Sequence, residues 1–154
     1  GLPELLVGLA FGILPVGMAA WLQGAPLDAG VVLVGLPVSF WIANVLLINE
    51  VPDRDADARV AKRTLVVLLG ARAALLVHAG ITVTALAVIA WASMTLAILP
   101  WWSLTLPGLL SLPALVTIIQ ADPMDRSRLT RAIKATLTLH AGGSLWLAVA
   151  ALAG

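Results

Sequence analysis

The residues best suited to chemistry in this sequence lie in one polar segment, residues 49–70, which reads NEVPDRDADARVAKRTLVVLLG. Asn49, Asp53 and Asp57 recur there every four residues. On a helix, residues at this spacing lie one turn apart on one face, so an amide and two carboxylates would form a stripe. Adjacent carboxylates repel, and a divalent cation with oxygen ligands offsets the repulsion. The stripe therefore predicts a Mg²⁺ site with Asp53 and Asp57 as its ligands.

Basic residues follow the acids within the same segment. The ammonium of Lys62 and the guanidinium of Arg63 suit the oxygens of a phosphate group. We expect Lys62, Arg63 and Asn49 to bind a diphosphate. Asp55 would point about 200° away from the other two acids around a helix, so we expect it to face solvent or to pair with Arg59.

The composition places this chain in a membrane. Of its residues 61% are hydrophobic and 11% are charged, whereas a soluble domain carries about 25% charged residues. The mean hydropathy is +1.05. There is no cysteine, which excludes a disulfide framework and a thiolate metal site.

Five apolar segments, each close to the roughly 20 residues that cross a bilayer core, organise the chain. They predict an all-α, polytopic transmembrane helical bundle in a single domain, residues 1–154. Polar loops are expected at about 50–70 and 121–134. The predicted spans are 2–22, 31–50, 71–93, 104–120 and 135–152.

Some residues have expected structural roles in this bundle. The glycines of the first span are expected to permit close approach of a neighbouring helix, and Pro15 is expected to kink that span. Asp28 is predicted to cap the second span, and Asn44 to form an interhelical hydrogen bond. Asp122 and Asp125 resemble turn and cap residues.

The basic residues indicate an orientation. All nine Lys and Arg fall in two clusters, at 54–72 and 126–134. By the positive-inside rule both clusters face the cytoplasm, so we expect the acidic stripe to face it too. The second cluster also suits anionic headgroups of membrane lipids. No signal peptide precedes the first span, and because the chain begins with Gly1 we expect it to start partway through a longer protein.

An ordinary solvated loop is the alternative interpretation of the polar segment, because two acids four residues apart occur by chance on surface helices. A second alternative is a non-enzymatic membrane transporter or lipid-binding half-module, in which Asp53 and Asp57 would line an ion path. A transport site would lie near mid-membrane. The position of these acids at a membrane edge, beside a basic loop, favours diphosphate binding.

The polar segment resembles the second half of UbiA-type prenyltransferases, intramembrane enzymes that transfer a polyprenyl chain from its diphosphate to an aromatic acceptor. Asn49, Asp53 and Asp57 match the second aspartate-rich motif of that family, and residues 62–65 match its KRTL element. The resemblance covers nearly the whole chain. One departure is Ala61, where the family usually has glycine.

Two further stretches are similar to one branch of that family. These are Phe11, Gly12 and Gly17 near the start, and KATLTLH at 134–140. They resemble the branch that acts on 1,4-dihydroxy-2-naphthoate in menaquinone synthesis, which implies a bacterial or archaeal cell membrane and no nucleic-acid partner.

The resemblance implies a Mg²⁺-dependent prenyl transfer, and it also implies that an N-terminal half of the protein is missing from this chain. Mg²⁺ would bridge Asp53 and Asp57 to a polyprenyl diphosphate, and an aromatic acceptor would take the prenyl group. The family has nine membrane helices and two aspartate-rich motifs, whereas this chain has one motif and resembles helices five to nine. We therefore expect the missing N-terminal half of the same protein to be a partner, and this chain alone to be inactive.

Overall fold

The secondary structure is helical throughout in the computed structural model, which describes residues 1–153; these residues form no strand. Five helical segments are long and apolar enough to cross a membrane, so the prediction of an all-α bundle with five spans is confirmed. The elements are α1 (Leu2–Gly8), a π-helical segment (Leu9–Ile13), α2 (Leu14–Leu22), α3 (Ala29–Glu50), α4 (Arg54–Arg59), α5 (Leu65–Leu69), α6 (Ala71–Met94), a 3₁₀ turn (Trp101–Leu104), α7 (Thr105–Ile119) and α8 (Arg126–Ala153).

The first span, Leu2–Leu22, changes pitch in its middle. Pro15 has no backbone N–H, and in a regular α-helix its ring would clash with the carbonyl four residues earlier. The π-helical segment directly precedes this region, and the N–H of Leu14 reaches back five residues instead of four. The kink expected at Pro15 therefore takes the form of a π turn.

Ser39 of α3 lies against this π turn. Its Oγ accepts a hydrogen bond from the Ile13 N–H at 3.0 Å. A Cβ on Gly12 would overlap Ser39, and one on Gly8 would lie 3.1 Å from the Ser39 carbonyl oxygen. These glycines let the first span approach α3 closely, as expected from the sequence.

α3 is the central helix of the bundle and packs against the first span, α6 and α8. The side chain of Trp41 is fully buried, and a Cβ on Gly143 of α8 would lie 2.8 Å from its ring. On another side of α3, Asn44 donates to the His78 carbonyl at 3.1 Å and to Thr82 Oγ1 at 3.0 Å. The interhelical hydrogen bond predicted for Asn44 is therefore present.

His78 extends this polar contact from α6 to α8. Its Nε2 lies 3.0 Å from Thr136 Oγ1. The Thr136 hydroxyl donates to the Ala132 carbonyl at 2.9 Å, so its oxygen is left to accept from the imidazole. His78 Nε2 is therefore placed to donate to Thr136 Oγ1.

Both polar segments lie at one end of the bundle, which we call the motif end. Leu47 and Val51, at the end of α3, belong to the same apolar cluster as Ile118 of α7 and Leu129 of α8. The segments at 50–70 and 121–134 flank this cluster. The two basic clusters therefore share one end, which the positive-inside pattern requires.

Two aspartates cap the helices for which the sequence predicted them. Asp28 Oδ1 accepts from the Gly30 and Val31 N–H groups at 2.8 and 3.2 Å, at the start of α3. Asp125 Oδ1 accepts from the Ser127 and Arg128 N–H groups at 2.9 and 3.2 Å. With this cap α8 begins at residue 126, before the span predicted at 135–152, so residues 126–134 are helical and not a loop.

Candidate functional site

The polar segment is divided by a break at Pro52, where α3 has ended and α4 has not begun. Proline cannot donate the backbone hydrogen bond that a continuous helix would need. Asn49 lies on α3, and its side-chain amide donates to the Val45 carbonyl at 2.8 Å. Asp53 is the N-cap residue of α4, and Asp57 lies within α4. The single face expected for the three residues is thus divided between two helices.

Asp53 and Asp57 are one turn apart. The Asp57 N–H donates to the Asp53 carbonyl at 2.8 Å. Asp53 is exposed, and its carboxylate makes no capping hydrogen bond to α4. Asp57 is 9% exposed. One carboxylate is therefore open to a ligand, and the other is partly enclosed.

α4 ends in a Schellman motif, a helix cap that reverses the chain. The Lys62 N–H donates to the Asp57 carbonyl at 3.0 Å, and the Ala61 N–H donates to the Ala58 carbonyl at 3.2 Å. These two hydrogen bonds define the motif, which usually has glycine where Ala61 stands. Ala61 has a φ of +55°, a left-handed conformation that favours glycine. The departure noted in the sequence thus falls where the backbone needs a positive φ.

The Schellman motif brings the side chain of Lys62 against Asp57. Lys62 Nζ lies 3.0 Å from Asp57 Oδ1 and 3.2 Å from Oδ2. The hydrogen bond to Asp57 raises the pKa of the Lys62 ammonium above its ordinary value of 10.5. The Lys62 side chain is 57% exposed, so a charged ammonium stands at the protein surface beside Asp57.

Arg63 and Asp55 face solvent. Arg63 is exposed and forms no ion pair within residues 1–153. The Asp55 side chain is 87% exposed and lies 3.7 Å from Arg54. The predicted exposure of Asp55 is confirmed, although its neighbouring cation is Arg54 and not Arg59.

The threonine of the KRTL element has a structural role. Thr64 is fully buried, and its Oγ1 accepts from the Val67 N–H at 3.3 Å, which caps α5. Gly70, with a φ of +84°, then turns the chain from α5 into α6. Lys62 and Arg63 therefore occupy a short connection whose two ends are both fixed.

Two buried carboxyl groups lie beneath this connection, and the sequence analysis missed them. Glu4 of the first span is 4% exposed, and Glu50 at the end of α3 is 6% exposed. Their side chains are within hydrogen-bonding reach of each other. Glu4 Oε1 also accepts from the Leu65 N–H at 2.5 Å. The available signal was a lone acid in an apolar span, which is rare without a function.

The residues of the site fit a Mg²⁺ ion shared with phosphate groups. Within residues 1–153, no three His, Asp or Glu side chains converge as a metal site. Mg²⁺ commonly takes one or two carboxylates and completes its shell with water and substrate phosphates. Asp53 and Asp57 provide that number of carboxylates, with Lys62 as a neighbouring cation.

Two apolar cavities lie toward the other end of α3. One, of about 610 Å³, is lined by residues that include Val34 and Val38 of α3 and Leu147 of α8. The other, of about 370 Å³, lies between the first span and the start of α3. At a rise of about 1.5 Å per residue, Val38 is roughly 20 Å from the motif end. Neither cavity contains a residue of the polar segment.

The family resemblance predicted from the sequence is confirmed by the comparisons with known proteins. Residues 1–141 match the model of the UbiA prenyltransferase family, and the chain belongs to this family. Together with the five apolar spans, this makes it an integral membrane protein. No solved structure matches the chain.

The chain is also similar to one curated protein over part of its length. Over 96 residues the chain is 34% identical to 1,4-dihydroxy-2-naphthoate octaprenyltransferase of Haemophilus influenzae (strain ATCC 51907 / DSM 11121 / KW20 / Rd). The match covers 62% of this chain and 31% of the relative. The chain thus aligns with about a third of the length of that protein.

Proposed function

We propose that the protein transfers a polyprenyl group from a polyprenyl diphosphate to an aromatic acceptor similar to 1,4-dihydroxy-2-naphthoate, in quinone biosynthesis. Family membership and the name of the similar protein support the reaction class. The observation that carries the proposal is the contact of Lys62 with Asp57, one turn from the open carboxylate of Asp53. Such a group of opposite charges suits a metal-bound diphosphate.

Each residue has a role in this proposal. Asp53 and Asp57 would hold Mg²⁺, which when bound neutralises negative charge on the diphosphate leaving group. The Lys62 ammonium contacts phosphate oxygens as a point charge, and Arg63 contacts them through its planar fork. One N–H of the Asn49 amide donates to Val45, which leaves its second N–H for a phosphate oxygen.

The surrounding helices would keep water from the reaction. A prenyl cation formed as the allylic C–O bond breaks reacts with water unless the site is dry. Below the site, the motif end is filled by an apolar cluster that includes Leu47, Val66 and Leu75. Further along α3 from the site, the side-chain N–H₂ of Asn44 donates to two oxygens of α6.

The proposal includes a partner segment and an orientation. The 154 residues contain one aspartate-rich motif, which supplies one wall of a diphosphate site. We propose that the second motif comes from an N-terminal half of the same protein and that this chain alone does not catalyse transfer. The positive-inside rule places the motif end on the cytoplasmic side.

The test is Mg²⁺-dependent binding of a prenyl diphosphate to the protein in lipid nanodiscs. Asp53→Asn should weaken binding about tenfold or more, since it removes a charge from a ligand of the metal. Asp55→Asn is the matched control, because it removes an exposed carboxylate from the same helix without touching the site. Equal binding by wild type and Asp53→Asn would contradict the proposal. Binding without transfer, when the naphthoate acceptor and the N-terminal half are both added, would support a lipid-binding module instead.

A further inference from the structure

Glu4 is the single charged residue of the first span, Leu2–Leu22. It is 4% exposed and is packed inside the bundle. A charged group in an apolar span is energetically unfavourable and is usually retained for a function. Nothing in the proposed chemistry at Asp53 and Asp57 uses this carboxyl group.

The Glu4 carboxyl group binds the backbone of the KRTL element. Its Oε1 accepts a hydrogen bond from the Leu65 N–H, 61 positions further along the chain. Leu65 is the first residue of α5, so its N–H has no partner within its own helix. Thr64 caps the same helix through the Val67 N–H. Glu4 and Thr64 therefore satisfy different donors at one helix start.

Glu50 completes this contact. Glu4 Oε2 and Glu50 Oε2 are both buried, and neither has a hydrogen-bond partner among the described residues. Because the two side chains are within hydrogen-bonding reach, one proton between them supplies the donor that both oxygens lack. The pair thereby joins the first span to the end of α3.

These contacts fix the connection that carries Lys62 and Arg63. At its start, the Schellman motif ties Lys62 to Asp57. At its end, Leu65 is tied to Glu4. Lys62 and Arg63 stand between these two attachments, so their position relative to Asp57 depends on both.

We propose that Glu4 is a positioning residue, which through Leu65 and Glu50 holds the KRTL element so that Lys62 stands beside Asp57 and Arg63 follows it on the same fixed connection. The role in diphosphate binding rests on the proposed function, whereas the attachment of the connection does not. Glu4 touches no reacting atom in this proposal. Its effect on substrate passes through the backbone of residues 62–65.

The attachment can be tested without any activity. The chain has no cysteine, so Arg63→Cys gives one thiol for a nitroxide spin label in the protein in nanodiscs. Glu4→Ala should increase the mobility of this label. Glu4→Gln should not, because its amide oxygen accepts from Leu65 and its N–H₂ donates to Glu50. A label at Met124→Cys, 93% exposed in the other polar segment, should be unaffected by either change.

Two outcomes would overturn the attachment. One is an unchanged label at residue 63 in Glu4→Ala. The other is equal mobility in Glu4→Ala and Glu4→Gln, since a mere loss of charge would affect both. If Glu4→Ala does not fold, Glu4→Met takes its place, because it keeps most of the side-chain volume and removes the acceptor.

The functional part is tested by kinetics of the unlabelled chain combined with the N-terminal half of the protein, because this chain alone is expected to be inactive. In Glu4→Ala we expect KM for the prenyl diphosphate to rise about tenfold with a smaller change in kcat, and Glu4→Gln to restore KM. An active wild type with identical KM values in all three proteins would overturn the positioning role. No prenyl transfer by the wild-type chain in the presence of the N-terminal half would instead contradict the proposed function, and the spin-label result would still decide the attachment.

Discussion

Lys62 is bonded to Asp57 twice, once through its backbone and once through its side chain. The Lys62 N–H lies 3.0 Å from the Asp57 carbonyl oxygen, and Nζ lies 3.0 Å from Asp57 Oδ1. The backbone contact belongs to the Schellman motif, which places the side chains of these two residues near each other. The ion pair beside the site is therefore set by local geometry within one short stretch of chain.

This ion pair should stabilise the protein in a defined pH range. The folded-state pKa of Lys62 lies above 10.5 because of the Asp57 hydrogen bond. Its contribution is therefore complete below about pH 10.5 and is lost as the pH rises through the folded-state pKa. We expect Lys62→Met to lower the melting temperature slightly at about pH 8, and the difference from wild type to shrink as the pH rises through the folded-state pKa of Lys62. A difference that stays constant into that alkaline range would contradict the prediction.

Ala61→Gly should stabilise the protein. A left-handed conformation is unfavourable by about 1–2 kcal/mol for alanine, and replacement by glycine removes this cost. Part of the resulting stabilisation is offset because glycine has the larger conformational entropy in the unfolded chain. We expect a net increase of about 0.5–1 kcal/mol in the free energy of unfolding, measured by denaturant titration. Ala58→Gly, on the exposed part of α4, is the control and should lower stability by about 1 kcal/mol. Destabilisation by both changes would argue against the positive φ at Ala61.

Gly12→Ala should destabilise the protein strongly. Its Cβ would overlap Ser39 at the π turn, where the neighbouring atoms include backbone. We expect a loss of about 2–3 kcal/mol, the upper part of the range for overpacked sites. Gly80→Ala is the control, since no atom lies within 4 Å of the added Cβ, and should be neutral or stabilising by up to about 1 kcal/mol. Equal effects of Gly12→Ala and Gly80→Ala on thermal unfolding would contradict the close approach of the first span to α3.

Asp125→Ala should fray the start of α8 and lower the melting temperature. The hydrogen bond from the Arg128 N–H, followed by that from Ser127, lowers the pKa of Asp125 below its ordinary value of 3.8. The contribution is therefore complete above about pH 4 and is lost as the pH falls through the folded-state pKa. Asp122→Ala removes one capping contact, to the Met124 N–H, and should have a smaller effect. A melting temperature of Asp125→Ala equal to that of wild type at neutral pH would contradict the capping role of Asp125.

Much of the fold could be predicted from the sequence, because a membrane-spanning helix needs a long run of apolar residues that is visible in the composition of that segment. Twenty-residue apolar runs and two basic clusters gave the span count and showed that both polar segments belong to one side. The capping roles of Asp28 and Asp125 followed from short-range spacing. The early start of α8 was missed, because a charged helix that extends beyond an apolar core has a loop-like composition.

The sequence predicted which residues belong to the candidate site, but it predicted their relative positions only in part. The spacing of Asp53 and Asp57 placed them one turn apart, as they are. The separation of Asn49 depends on the break at Pro52, whose effect on direction the sequence does not specify. Glu4 and Leu65 are 61 positions apart, and no local pattern indicates a contact across that distance. Expected roles of the site residues toward Mg²⁺ and diphosphate stay predictions.

The π turn at Leu9–Ile13 also affects how the first span is compared with its relatives. A π turn contains one residue more than an α turn, so the faces before and after it are out of phase by about 100° of helix rotation. A relative whose first span is a plain α-helix should align only with a one-residue gap in this region. An ungapped alignment would assign lipid-facing positions of this chain to buried positions of the relative on one side of the turn. Because a π turn accommodates one extra residue within a helix, a single-residue insertion at this stretch would leave both ends of the span in place.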